Sequence, residues 1–334
     1  MSGAPSVYLH AYLAPLAPFL GRADVTDIFV NSQGELWVET VGGGLEHHHA
    51  PQLDETTLWR LARQIASLSH QGISREHPLL AATLPGGERV QIVAPPATRG
   101  PLILAVRKHV LADLTLDDYE AGDAFAGVRT DGGSDAEKTD AELRALLDAG
   151  KTSDFLRMAV KARKNIVVSG GTSTGKTTFL NALLKEIPPH ERLILIEDAA
   201  EIQLTHKNAV GLIAVRGEQG EARVTADDLV QASLRLRPDR IILGELRGRE
   251  AASFLRAVNS GHPGSITTLH ADSPRGAVDQ LTLLVLQAGL NLGRLDIAQY
   301  VSGIVDVFVQ LSRRDGRRVV SQIAFQESWA PREG

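Results

Sequence analysis

Gly170-Gly171-Thr172-Ser173-Thr174-Gly175-Lys176-Thr177 decides the fold of the second half of this 334-residue chain. The stretch satisfies G-x-x-x-x-G-K-[ST], the pattern of a phosphate-cradling loop. Gly170 and Gly175 let the backbone turn so that successive N–H groups converge on one cluster of phosphate oxygens, and the dipole of the following helix adds positive potential. Lys176 supplies a mobile charge to β- and γ-phosphates, and the Thr177 hydroxyl suits Mg²⁺. An apolar strand over residues 165–169 precedes the loop and a helix begins at about Lys176, which is the context the motif requires. Gly171, Thr172, Ser173, Thr174, Gly175, Lys176, Thr177 and Thr178 are therefore the candidate phosphate-binding residues, and a nucleoside triphosphate with Mg²⁺ is the expected ligand.

Working outward, strand-like runs at 193–197, 240–244 and 265–269 alternate with helical segments near 226–236, 250–259 and 276–287. Alternating β and α predicts a mainly parallel sheet with helices on both faces. Ile166-Val167-Val168 and Ile241-Ile242-Leu243 are apolar without alternation, as strands covered on both sides should be. A phosphate loop needs acids at a second strand end. Ile194-Leu195-Ile196-Glu197-Asp198, continuing to Glu201, offers one set, and Ile241-Ile242-Leu243-Gly244-Glu245 offers another. Carboxylates just past such strands face the crevice at the sheet's C-terminal edge, where open α/β sheets bind ligands. Glu245 is the first acid beyond its strand. A third cluster, Gly261-His262-Pro263-Gly264-Ser265-Ile266-Thr267-Thr268-Leu269-His270, places a histidine on either side of a Ser/Thr strand, a pattern that favours a role at the phosphate site.

The first half predicts a small α+β domain. Strands at 25–30 and 36–41 flank the turn Asn31-Ser32-Gln33-Gly34. Leu58, Leu61, Ala62, Ile65 and Leu68 recur at helical spacing. Strands at 89–93 and 102–106 follow. His47-His48-His49 is expected in a polar loop without a metal. Residues 117–150 are rich in Asp, Glu, Gly and Ala and predict a solvated linker that turns helical near 141–147. The expected division is thus 1–112, a linker at 113–150, and 151–334.

Composition bounds the function. The chain carries 35 Lys+Arg against 40 Asp+Glu, no cysteine, and 4% aromatic residues. Absent cysteine excludes disulfides and thiolate metal sites and fits a reducing compartment. No apolar run reaches the length of a bilayer span; residues 281–286 predict a buried helix face. The first twenty residues lack the early positive charge of a secretory signal. A cytoplasmic chain is expected. Net acidity and few aromatics argue against single-strand nucleic-acid binding. Neither an N-K-x-D nor a D-x-x-G element occurs, which argues against a GTPase.

Four stretches, GGTSTGKTT, LIEDAAEIQL, LRLRPDRIILGELRGRE and SGHPGSITTLHADSPRGA, together resemble the type IV secretion and conjugation traffic ATPases of the type II/IV secretion ATPase superfamily, with that family's motifs in its order. VTDIFVNSQGELWVE and GGERVQIVAPP in the first half resemble it more thinly. The resemblance implies a RecA-like ATPase body, a homohexameric ring at the cytoplasmic face of the inner membrane, ATP held between the two domains, and contact with other secretion-system components. It implies that Lys176 and Thr177 meet phosphate and Mg²⁺, that Glu201 and Glu245 are the metal- and water-handling acids, that His270 senses phosphate, and that Arg237, Arg89 and Arg107 approach the phosphates. Arginines make sense there as partners of an anionic, loose transition state. A cysteine-free chain cannot build the four-cysteine zinc module of the type II branch. A pilus assembly or retraction motor, a nucleotide-gated scaffold with incidental turnover, and a DNA translocase are the competing readings, the last expected to be the weakest.

Overall fold

The computed structural model describes residues 7–108, 115–128, 135–215 and 220–325. The first body runs α1 (Val7–Leu13), α2 (Ala17–Leu20), β1 (Val25–Val30), β2 (Glu35–Thr40), β3 (Leu45–His49), α3 (Glu55–Leu68), β4 (Leu79–Thr83), β5 (Arg89–Val93) and β6 (Ile103–Arg107). Its strands form one antiparallel sheet in the order β3-β2-β1-β6-β5-β4. Alternation along the strands gives the sheet two different faces. Ile28, Val30, Val38, Ile92 and Leu104 pack beneath α3, whose buried stripe is Leu58, Leu61, Ala62 and Ile65. Asp54 caps that helix by accepting from the Thr57 N–H at 2.7 Å.

Two short helices follow, α4 (Leu116–Ala121) and α5 (Asp135–Asp148). The expected helix near 141–147 is present and longer. Its Leu143 is fully buried in a core shared with Phe155, Ala159, Ile166 and Val309. This part of the expected linker therefore packs on the second body rather than lying free in solvent. Residues 129–134 of the expected linker lie outside the described residues.

The second body continues with α6 (Thr152–Lys161), β7 (Ile166–Gly170), α7 (Lys176–Leu184), β8 (Leu193–Glu197), β9 (Ala209–Ile213), α8 (Ala226–Ser233), β10 (Arg240–Leu246), α9 (Glu250–Asn259), β11 (Ile266–Leu269), α10 (Pro274–Leu286), α11 (Arg294–Ile304), β12 (Val307–Arg314) and β13 (Arg317–Phe325). The strand order is β13-β12-β7-β11-β10-β8-β9; every pairing is parallel except the terminal hairpin β12–β13. This is the expected mainly parallel α/β body. β7, β8 and β11 are buried along their whole lengths, which explains the apolar runs Ile166–Val168 and Leu193–Ile196; β11 buries Thr267 and Thr268 between its apolar ends. Leu281, Leu284 and Val285 form the buried face of α10, as the sequence predicted.

The two bodies share a core. Phe29, Val93, Ile103 and Ala105, on the first sheet's other face, join Ile194, Ile196, Val210 and Leu212 of the second. The seam also holds charge. Arg192 is buried, stacks its guanidinium 4.0 Å above the Phe29 ring, and donates to Asn31 Oδ1 at 2.9 Å. Burial lowers its pKa to about 9, so it remains a cation at neutral pH. Among the described residues, no helix is long and apolar enough to cross a membrane. The triple histidine lies on β3 rather than in a loop: it pairs with β2, His47 stacks on Trp37 at 4.4 Å, and His48 meets Glu46 at 2.8 Å.

Candidate active site

β7 delivers the chain to the phosphate loop and α7 carries it away, beginning at Lys176. Gly175 caps that helix with φ +91°, a left-handed conformation that disfavours any side chain. Gly170 has no room for one: a Cβ there would lie 2.5 Å from Thr174 Oγ1 and 3.0 Å from the Leu311 carbonyl. Thr174 braces the loop by donating to the Gly171 carbonyl at 2.8 Å.

Around the loop opens a cleft of about 690 Å³ lined by residues 172–178 and by acids from two strand ends. That volume lies in the range of small-molecule sites. Lys176 Nζ donates to the Gly170 and Gly171 carbonyls at 3.0 and 3.3 Å, and lies 3.6 Å from Glu245 Oε1. Burial pushes its pKa below the usual lysine value, while Glu245 pulls it back. His270, just past β11, brings Nδ1 to 3.4 Å from Lys176 Nζ and Nε2 to 2.9 Å from Glu245 Oε1. The tautomer with hydrogen on Nε2 serves both contacts, donating to Glu245 and accepting from Lys176. Thr268, one turn of strand earlier, donates to the Gly244 carbonyl at 2.7 Å and ties β11 to the strand carrying Glu245.

The second acidic loop sits opposite. Thr177 Oγ1 donates to Glu201 Oε2 at 3.2 Å. Glu197 stays buried and accepts from the N–H groups of Glu201 and Ile202 at 3.1 and 2.8 Å, so it shapes the loop that presents Glu201. The first body reaches the same loop through Arg99, which pairs with Glu197 and donates to the Ile202 carbonyl at 2.6 Å.

Sequence reasoning placed Lys176, Thr177, Glu201, Glu245 and His270 together, and the cleft contains them all. His262 is elsewhere, at the other end of β11, with its Nδ1 2.9 Å from the Ala257 carbonyl. Three arginines do not line the cleft of their own chain. Arg237 is held in the seam by Glu39 of β2 and by Asp239 at 2.7 Å, whose charges outweigh burial and keep its pKa above the usual value. Arg89 and Arg107 are exposed cross-strand neighbours on the first sheet, Arg107 lying 3.8 Å from Asp27. The walls all come from the second body, so the cleft is not an interdomain one within the chain.

Three participants went unassigned in the sequence. Arg247 pairs with Glu245 and lies 3.9 Å from Asp198; it stands in the quoted string ELRGRE but has no motif of its own. Arg99 sits in a loop after a proline pair, with no local signal. Arg318 lines the cleft from β13, and the Asp315-Gly316 dipeptide between two β-branched runs is the local hairpin signal that could have found it.

Residues 136–331 match the family model described as type II/IV secretion system protein. The chain is 37% identical over 326 residues to the type IV secretion system protein VirB11 of Bartonella quintana, covering 94% of this chain and 91% of that one. It is 42% identical to the type IV secretion system protein PtlH of Bordetella pertussis, covering 92% and 93%. The crystal structure of the VirB11 ATPase of Brucella suis, in complex with sulphate, superimposes with a TM-score of 0.89 at 38% identity and covers 96% of this chain and 95% of that one. A nucleotide-binding P-loop in this fold, matched nearly end to end by such relatives, leads to one conclusion: the chain belongs to the type II/IV secretion system protein family and is one of its type IV secretion ATPases.

Proposed function

We propose that the chain is the hexameric motor of a type IV secretion apparatus, hydrolysing ATP in the cleft between its phosphate loop and Glu245. The observation that carries the reading is the convergence of Lys176, Glu245 and His270 on one another at the head of the loop. The loop N–H groups of residues 172–177 and the start of α7 hold the β- and γ-phosphates. Incoming phosphate draws Lys176 away from Glu245, and the released carboxylate orients and deprotonates the attacking water. His270 reports on the γ-phosphate through the same contacts. Thr177 and Glu201, already paired through hard oxygen atoms, suit Mg²⁺, which takes one or two protein oxygens and fills its shell with water and phosphate. The ion's chemistry here is to neutralise charge on the transferring phosphoryl group.

Arg89, Arg107 and Arg237 act in the ring, where the exposed pair on the first sheet faces the cleft of a neighbouring subunit. Partners are further copies of the chain and other secretion-system components at the cytoplasmic face of the inner membrane, with peripheral membrane contact. The test is a cell that lacks the chain. Wild type restores transport, while Glu245→Gln forms a ring of the same native mass and transports nothing. Full transport by the non-hydrolysing variant would defeat the motor and favour a nucleotide-gated scaffold.

A further inference from the structure

The cleft contains one cation that the hydrolytic arrangement leaves unused. Lys176 and Arg247 are both tied to Glu245, whereas Arg318 lines the cleft with no acidic partner among the described residues. Its placement follows from register. Leu311 of β12 lies opposite Gly170, the last residue of β7. The remaining residues of β12, the turn and the start of β13 therefore run past the end of β7, on the side where the phosphate loop sits.

The hairpin tip is Arg313-Arg314-Asp315-Gly316-Arg317-Arg318, with positive φ at Asp315 (48°) and Gly316 (76°) as a two-residue type I′ turn requires. Arg313 lies opposite Arg318, and Arg314 opposite Arg317. Like charges directly opposite one another destabilise a hairpin, so this one carries its arginines at a cost that folding does not explain. Arg318 also uses the last glycine of the loop as its seat. A Cβ on Gly175 would lie 2.9 Å from Arg318 Cδ and 3.5 Å from its Nε, so the side chain passes directly over the last glycine of the loop.

Sheet order then separates the two ends of the nucleotide. β7 has β11 on one side and β12 on the other. His270 and Glu245 come from β11 and β10, which fixes the γ-phosphate end on that side. The nucleoside end consequently runs toward the β12–β13 hairpin. We propose that Arg318 binds the nucleoside end of the nucleotide, its planar guanidinium stacking on the purine base.

This inference rests on the ATPase reading and adds a binding residue to the same site. A guanidinium stacked on a ring contributes affinity without distinguishing ATP from ADP. Arg318→Ala should therefore weaken ATP and ADP by about tenfold each, leave the affinity for inorganic pyrophosphate at the wild-type level, and change kcat less than twofold at saturating ATP. Arg318→Lys keeps the charge and loses the plane, so it should recover little of the lost affinity. Arg314→Ala, on the same hairpin and outside the cleft, should bind ADP like wild type. Unchanged ADP affinity in Arg318→Ala would overturn the proposal, and so would equal loss for pyrophosphate, wild-type binding by Arg318→Lys, or equal weakening by Arg314→Ala. Hydrolysis by the wild-type protein tests the ATPase reading separately, so failure of one does not imply failure of the other.

Discussion

Glu245 and Glu201 are both carboxylates at strand or loop ends, yet their surroundings separate their duties. Glu245 is largely enclosed by Lys176, His270 and Arg247, and its oxygens lie at the head of the phosphate loop. Glu201 is exposed and bonds the Thr177 hydroxyl. Glu245→Gln should lower kcat by about 10²- to 10⁴-fold with ATP affinity retained, the usual weight of a general base. Glu201→Gln should instead raise the Mg²⁺ concentration needed for half-maximal rate, and excess Mg²⁺ should restore much of the activity. Steady-state kinetics over a Mg²⁺ titration checks both, and the reverse pattern would exchange the two assignments. Both acids were legible in the sequence because each comes after an apolar run, although β10 extends two residues beyond the expected 244 and carries Glu245 as its penultimate residue. Arg237 was not. Its partner Glu39 is 198 residues away, and no local pattern reveals a pairing across the seam between two sheets.

At the scale of elements, the strands and helices around the loop were readable because sequence and environment agree. β8 is buried throughout and apolar up to its last residue, Glu197, and α9 spans the predicted residues. The acidic stretch before residue 150 was harder. Its composition is that of a solvated linker, yet α5 docks through Leu143, fully buried among Phe155 and its neighbours, with Leu146 and Leu147 packed beside it. Most of the other residues from 137 to 148 face solvent. Leu143→Ala should cost about 2–5 kcal/mol, the range for truncating a buried leucine. Urea unfolding measures it; a loss no larger than that of an exposed alanine substitution would show α5 undocked. The β12–β13 hairpin shows the complementary case. Its Asp315-Gly316 turn is a local signal, but its approach to the phosphate loop follows from a parallel pairing with β7 that no short-range pattern encodes.

For the whole molecule, the two bodies meet through apolar surface threaded with charge. Asp27 lies in that seam almost fully buried, and burial lifts its carboxyl above the ordinary aspartate range while Arg107 opposes the shift. A raised carboxyl pKa favours folding below the ordinary carboxylate range, and the advantage is lost as pH rises through the folded-state value. Asp27→Asn removes that loss. The variant should therefore gain thermal stability relative to wild type as pH rises from about 4 to 7, and melting curves across that range are the check. Parallel pH profiles for the two proteins would show that Asp27 pays no burial cost in the seam.

We propose that ATP turnover by this seam-joined pair of bodies depends on the phosphate loop. Phosphate release from ATP, followed for wild type beside Lys176→Ala at matched native mass, is the decisive measurement. Lys176 touches the loop carbonyls, Glu245 and His270 at once, so its removal should abolish hydrolysis while the assembly persists. Turnover at the wild-type rate in Lys176→Ala would exclude the phosphate loop from catalysis.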